Sequence, residues 1–337
     1  MKMAFFDLEG WEAPIINEKV KNSKIEVIRT DTALLDPTKL GEIKGTEILS
    51  VSFSKADRDV INALPGLKLI STRTTGFDQI DIGFAKEKNI AVINVPAYGA
   101  QTVAEYAFAL ILTLSRKLKM TFLRSMFGVF DQKEVRGNDL EGKTLGVLGT
   151  GKIGQKLVKM AFGFDMKIIC YDLYPNKEIT ERYGAKYVPL EELLRTADVI
   201  SIHSPYTKET HHLIDADAVS LMKKGVLLVN TARGPIVDIS AVFDGIKRGV
   251  FGGVAFDTFE GEQIWIKAEN ILQRADLPSP ESFKSALESF YLQRFREVVL
   301  TPHNAFNSHE AVRRILDTAL ADSIAFSEKG DCEHRLA

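Results

Sequence analysis

The residues best suited to chemistry lie between Gly149 and Phe306. The first group is Gly149-Thr-Gly151-Lys-Ile-Gly154, followed 18 residues later by Asp172. A lone G-x-G-x-x-G means little, but here an apolar run, Leu145–Leu148, leads into it. A helix-period segment and a second apolar run, Met166–Tyr171, lead from it to the acid. That context gives each glycine a task. Gly149 permits a tight turn, Gly151 lets a pyrophosphate approach the backbone, and Gly154 lets helix pack on strand. The free N–H groups at the helix start then face the phosphates. Asp172 sits where a carboxylate accepts hydrogen bonds from the adenosine ribose and repels a 2′-phosphate, so the spacing predicts NAD rather than NADP.

Three further segments each follow an expected strand, and in open α/β sheets ligands bind beyond the carboxyl ends of strands. Arg233, in Asn230-Thr-Ala-Arg233-Gly-Pro, could grip a carboxylate through two parallel hydrogen bonds, or could equally cap a helix or bridge a surface acid. Asp257, Glu260 and Glu262 put three carboxylates within six residues. Asp257 is placed to touch a nicotinamide or its ribose, and either glutamate could pair with a histidine. Alone, such a cluster also fits a solvated loop. His303, in Thr301-Pro-His303-Asn-Ala-Phe306, could act as a general acid near neutral pH. His203 ends an expected strand and would line the cofactor cleft. His211, His212, His309 and His334 show no metal-ligand spacing, so no metal is expected. A hydride carrier needs a held carbonyl, a cation for the substrate carboxylate and a proton donor for the nascent alkoxide, and Arg, Glu and His at successive strand ends supply these.

The elements that must position these residues alternate in type. Met3–Asp7, Ile25–Arg29, Glu47–Val51, Lys68–Ser71 and Ala91–Asn94 read as strands, with Trp11–Lys21, Ala56–Ala63 and Ile82–Glu87 as helices between them. A long helix is expected over about Gln101–Leu118. After the glycine unit come strands at Val199–His203, Val226–Asn230, Gly252–Phe256 and Val298–Leu300, with helices near Leu190–Arg195, Ala216–Met222 and Asp238–Lys247. Ile264–Arg296, polar and helix-like but interrupted by Pro278 and Pro280, reads as an insertion outside the sheet core. A last helix covers about His309–Phe326, and the tail Gly330–Ala337 is expected to fray. The pattern predicts two doubly wound α/β domains with parallel sheets.

Composition narrows the class. At 337 residues, 45% hydrophobic and 26% charged, the chain is of ordinary globular type and long enough for about two domains. A net charge of −2 without a long basic run gives no reason to expect nucleic acid. Cys170 and Cys332 make no disulfide framework, and a reducing, cytoplasmic compartment is the expectation. The N-terminal apolar run is too short for a signal peptide, and no apolar stretch approaches the roughly 20 residues of a membrane span.

Taken together these motifs resemble the NAD-dependent D-isomer-specific 2-hydroxyacid dehydrogenases over nearly the whole chain. The matching segments are STRTTGFDQID (71–81), NVPAYGAQTVAEYAFALIL (94–112), GKTLGVLGTGKIG (142–154), ADVISIHSPYTKETHHLI (197–214), LVNTARGPIVD (228–238), AFDTFEGE (255–262) and LTPHNAF (300–306). The resemblance implies a flavodoxin-like substrate domain, residues 1–100 plus 303–337, and a Rossmann NAD-binding domain, residues 101–302. By position it makes Arg233 the substrate-binding arginine, His303 the acid/base and Glu262 the partner that tunes it. It makes Thr75 and Gly76 the backbone that receives the substrate carboxylate, and Tyr98 a residue flanking the substrate. Lys152, Ile153, Asp172, Pro205, Thr210, Thr231, Ala232 and Asp257 fall at cofactor contacts.

Within the family the D-lactate dehydrogenase branch looks nearest. Gln263 follows Glu262 where glycerate-type members carry proline, and the run to His303 is long. Phe53, Tyr98 and Phe306 would line a compact apolar pocket suited to pyruvate and equally to larger aliphatic 2-oxo acids. A homodimer is implied, with the helix at 101–118 and the segment after it as the interface. The relatives also leave open an NAD-sensing corepressor on the same fold.

Overall fold

A computed structural model of the chain describes residues 1–262, 264 and 279–337. These divide into two compact units, Met1–Tyr98 with Ser308–Ala337, and Gly99–Asn307.

The first unit holds β1 (Lys2–Phe5), β2 (Glu26–Thr30), β3 (Ile48–Val51), β4 (Leu69–Thr72) and β5 (Ala91–Ile93). All pairs are parallel in the order β2-β1-β3-β4-β5, which is flavodoxin-like. Alternate strand residues feed two cores. Leu49, Ile70 and Val92 face one cluster, while Met3, Phe5, Ile48 and Ile93 face the other with Leu316 and Leu320 of the terminal helix. Aspartates start two of the helices: Asp57 accepts from Val60 N–H and Asp81 from Phe84 N–H.

The second unit holds β6 (Thr144–Leu148), β7 (Lys167–Tyr171), β8 (Lys186–Tyr187), β9 (Val199–Ile202), β10 (Val226–Asn230), β11 (Phe251–Phe256) and β12 (Val298–Leu300). The sheet is parallel throughout, in the order β12-β11-β10-β9-β6-β7-β8. β6, β9 and β10 are buried along their whole length, as strands covered by helices on both faces must be. The strand order reverses between β6 and β9, which opens a crevice at their carboxyl ends.

The register decides what meets there. Leu148 lies opposite Tyr171 on one side and Ile202 on the other, so the loops starting at Gly149, Asp172 and His203 emerge side by side. Asn230 lies opposite Phe256, and Phe256 opposite Leu300, so the loops carrying Arg233, Glu262 and His303 do the same.

Two expectations change. The long helix stops at Ser115, because Lys117 takes a left-handed backbone, and a separate helix, Leu118–Met126, follows. The C-terminal tail is not frayed. Ile93 and Arg335 form an antiparallel bridge, Leu336 N–H bonds Val92 O at 2.7 Å, and Leu336 and Ala337 pack on the core. The helix-like reading of 264–296 is met at Pro280–Leu292, a helix that Ser279 caps. The part of that expectation falling on residues 263 and 265–278 lies outside the described residues. Among the described residues no helix is long and apolar enough to cross a membrane.

Candidate active site and cofactor cradle

The glycine loop has a separate steric reason at each position. Gly149 has φ +93°, and a Cβ there would lie 2.6 Å from Ser204 N and 2.7 Å from the His203 carbonyl carbon. Only a glycine lets β6 pass the end of β9. A Cβ on Gly154 would sit against Gly149 O, so that glycine brings the helix Lys152–Gly163 close under the strand. A Cβ on Gly151 would meet nothing within 4 Å, which leaves the loop open on the side a phosphate would use. Lys152 is exposed and Ile153 half-buried at the first turn of that helix.

Asp172 is tied to the same loop. Its Oδ2 accepts from Thr150 N–H (2.6 Å) and the Thr150 hydroxyl (2.8 Å), and its Oδ1 from Tyr174 N–H (2.9 Å). Burial pushes the carboxyl's pKa upward. The donors from Thr150 and Tyr174 outweigh it and hold the pKa below the ordinary carboxylate value. Tyr187 completes the brace, its hydroxyl 2.9 Å from Thr150 Oγ1. Sequence patterning did not single out Tyr187. Its signal is a tyrosine on the short strand beside β7, within reach of the loop. Burial pushes the Cys170 thiol up to about 12, with Asp172 adding to the shift, so it is an inert core residue.

On the other flank of the crevice His203 has its Nε2 2.9 Å from Ser201 Oγ and its Nδ1 buried without a partner. Burial lowers its pKa to about 4, so the ring is neutral at pH 7. Pro205 is exposed, and its carbonyl accepts from the Thr210 hydroxyl at 2.8 Å, which closes the loop between them. Thr231 is buried with an unpartnered hydroxyl, as is Thr258. Buried polar atoms are rarely left unpaired. Three such orphans beside an open glycine loop and an ionised aspartate fit a polar ligand such as NAD.

The loops after β10, β11 and β12 lock together. Asn230 accepts from Ala232 N–H and donates to the Arg233 and Thr258 carbonyls. A Cβ on Gly234 would strike the Phe259 carbonyl carbon at 2.4 Å, so the Arg233 turn lies directly on the 259–260 backbone. Arg233 is half-buried and spends Nη1 on Ala232 O at 2.8 Å, which leaves most of the guanidinium for another acceptor. Gly261, φ +80°, lies under Ala286 of the helix Pro280–Leu292, and Ser289 Oγ donates to Glu260 O at 3.3 Å. The turn that carries Glu262 is thus braced from above.

His303 and Glu262 meet, Nδ1 to Oε1 at 3.2 Å, with the glutamate mostly buried and the imidazole 39% exposed. One face of the histidine is therefore free to meet a ligand while the other is held. His303 itself has φ +52°, a left-handed backbone uncommon outside glycine. Asp257 explains how it persists. This fully buried carboxylate accepts from the Thr301 hydroxyl (2.6 Å), Asn304 N–H (2.8 Å) and Ala305 N–H (2.8 Å), gripping the turn from both sides of His303. The sequence suggested a nicotinamide contact for Asp257 and missed this anchoring task. The signal was an acid directly after an apolar strand, where an uncompensated charge is not tolerated. Phe306 lies beside the imidazole, ring centroids 6.4 Å apart. His212, set aside in the sequence, pairs with Glu260 at 2.8 Å and ties the 205–212 loop to the Glu260 turn.

Thr75, Gly76, Tyr98 and Phe53 belong to the first unit. Thr75 and Gly76 follow β4, with Thr75 exposed and its hydroxyl 2.7 Å from Val95 O. Phe53 is exposed at the end of β3, where Asp7 receives its N–H at 2.9 Å. Tyr98 is half-buried, and its carbonyl accepts from Arg314 at 2.8 Å.

Comparison with known proteins agrees with this geometry. Residues 108–305 match the family described as D-isomer specific 2-hydroxyacid dehydrogenase, NAD binding domain. The D-lactate dehydrogenase of Staphylococcus aureus strain MRSA252 is 32% identical over 339 residues, covering 99% of each chain. The crystal structure of the Aquifex aeolicus D-lactate dehydrogenase complexed with NAD and lactic acid has a TM-score of 0.84 and 36% identity, covering 98% of each chain. The structure of a D-2-hydroxyisocaproate dehydrogenase also scores 0.84, at 29% identity, covering 100% of this chain and 99% of that one. With a parallel-sheet cofactor cradle of the required form and likeness along its whole length, this chain belongs to the D-isomer-specific 2-hydroxyacid dehydrogenases, NAD-dependent oxidoreductases.

Proposed function

We propose that the protein is an NAD-dependent D-lactate dehydrogenase, interconverting pyruvate and D-lactate. The observation that carries this reading is the Glu262–His303 pair, held beside the Arg233 turn at the ends of adjacent strands. Bound NADH supplies the hydride. The cofactor groups would be Gly149, Gly151, Lys152, Ile153 and Gly154 at the pyrophosphate, Asp172 at the ribose, and His203, Pro205, Thr210, Thr231, Ala232 and Asp257 along the rest. Arg233 takes the substrate carboxylate on paired N–H groups and polarises the keto oxygen. The Thr75 and Gly76 N–H groups receive the same carboxylate. Glu262 fixes the proton on Nδ1 of His303, so Nε2 delivers a proton to the developing alkoxide, and in oxidation takes it back. Phe53, Tyr98 and Phe306 are the apolar side chains that the resemblance assigns to the substrate's methyl group. Domain roles follow: residues 1–100 with 303–337 bind substrate, and 101–302 bind NAD.

Likeness to the D-2-hydroxyisocaproate enzyme supports a second reading, in which larger aliphatic 2-oxo acids are preferred. One methylene is worth only about 1–3 kcal/mol in an apolar pocket, so residue types cannot separate the two. NADH oxidation with pyruvate, 2-oxobutyrate and 2-oxoisocaproate, with product chirality assigned, decides it. Highest kcat/KM on pyruvate giving D-lactate supports the first reading, and preference for the branched acid the second. His303→Ala should lower kcat by about a hundredfold to ten-thousandfold with NADH affinity kept, and near-normal turnover would remove His303 from the mechanism.

A homodimer is part of the proposal. Met126, Phe127 and Phe130 are each about four-fifths exposed, and with Phe122 they place four large apolar side chains in solvent within nine residues, which a partner subunit would cover. The free thiols fit a reducing, cytoplasmic setting.

A further inference from the structure

Three backbone and side-chain contacts around residues 74–77 fix which way the peptide groups point. In a trans peptide the carbonyl and the following N–H point in opposite directions, and the described residues contain no cis bond. Thr74 O accepts from Val95 N–H at 3.0 Å, which turns Thr75 N–H away from the unit's interior. Thr75 O accepts from the Asn94 side-chain amide at 2.7 Å, which turns Gly76 N–H the same way. Gly76 O accepts from the Thr74 hydroxyl at 2.5 Å, which does the same for Phe77 N–H. Gln79 holds the Thr72 and Thr74 hydroxyls in place at 2.8 and 3.1 Å. Two of these contacts, from Val95 N–H and the Asn94 side-chain amide, come from the segment that follows β5.

Asn94 is buried, 6% exposed, one residue past β5. Its own N–H reaches His334 O at 3.4 Å. The adjoining β5 residue Val92 exchanges hydrogen bonds with Leu336 (2.7 Å) and Ala337 (3.3 Å). His334 is anchored in turn, its Nδ1 2.7 Å from Oδ2 of Asp322, a buried residue on the helix His309–Lys329.

We propose that Asn94 is a positioning residue for the substrate carboxylate, and that the C-terminal segment 334–337 is the strand that holds it in place. The inference rests on the reading of Thr75–Gly76 as a carboxylate receiver. Asn94→Asp is the same size but sets an oxygen against Thr75 O, so that peptide turns and Gly76 N–H leaves its aim. The expected result is a rise of about tenfold in KM for the 2-oxo acid, the equivalent of one hydrogen bond lost. The Kd for oxamate, read from NADH fluorescence, should weaken equally. NADH Kd should stay within twofold and kcat within threefold. Deleting Arg335–Ala337 should move KM in the same direction by a smaller factor, and serves if Asn94→Asp does not fold. Unchanged KM and oxamate Kd in either folded variant overturns the inference, as does an equal loss of NADH affinity, which would mark general damage. A wild-type protein that binds NADH but turns over no 2-oxo acid overturns the functional reading first, and this inference with it.

Discussion

The two sheets end their first strands in opposite ways. Both are doubly wound, and in each the strand order reverses beside the first strand, between β6 and β9 in one and β1 and β3 in the other. At the first of these points the chain supplies Gly149 and Gly151, a helix N-terminus and open space. At the second it supplies Asp7. The Asp7 carboxylate accepts from Ser52, Phe53 and Ser54 N–H at 2.8–2.9 Å and from the Ser54 hydroxyl at 2.5 Å. The crevice that could have drawn an external anion is filled by the chain's own. One winding thus yields a ligand site in one unit and a self-sealed joint in the other, and the difference lies in a few loop residues rather than in the fold.

The comparison breaks most visibly at Gly149. Alanine there faces a backbone nitrogen at 2.6 Å that cannot move aside, in a conformation L residues avoid. Gly149→Ala should weaken NADH binding by about a hundredfold, or roughly 2.7 kcal/mol. Titration of NADH fluorescence tests it, and a Kd within threefold of wild type would mean the glycine is not what keeps the crevice open. Asp7→Ala should do the reverse. Loss of a charged acceptor for three amides should lower stability by about 2–4 kcal/mol in denaturant melts, with NADH Kd unchanged. If Asp7→Ala weakened NADH as much as Gly149→Ala, the sealed crevice would not be independent of the open one.

Much of this contrast was legible in the sequence, and its limits are instructive. Strand existence, the glycine loop and the strand-end positions of Arg233, Glu262 and His303 follow from local patterns, apolar runs with period and punctuation. Asp7 was read as the last residue of a strand, because nothing local marks an acid that pairs with amides more than forty residues away. The tasks of Asp257, Tyr187 and Asn94 were hidden for the same reason, since each bonds across neighbouring strands and register is a property of the sheet. The C-terminal tail Gly330–Ala337 looked free because its eight mostly polar residues carry no periodicity. Its pairing with β5 is set by an edge that only the folded sheet presents. The break at Lys117 has no signal in composition, as lysine is a good helix former and its left-handed turn is imposed by packing.

The smallest expected effect sharpens the comparison through pH. His203 stands at the open crevice and is held neutral by burial, its pKa lowered to about 4 from an ordinary value near 6.5. Between those values the unfolded chain binds a proton that the folded chain refuses, so folding stability rises with pH across that window. Stability from this group is complete above about pH 6.5 and falls away as pH drops toward 4. With the residue partly exposed at one edge, the difference should be about 1–2 kcal/mol. His203→Gln removes the titration, so its Tm should fall less than that of wild type between pH 7 and pH 5. Parallel melting curves for wild type and His203→Gln would show that the histidine takes up its proton in the folded state, and that the crevice is wetter than its orphaned Nδ1 implies.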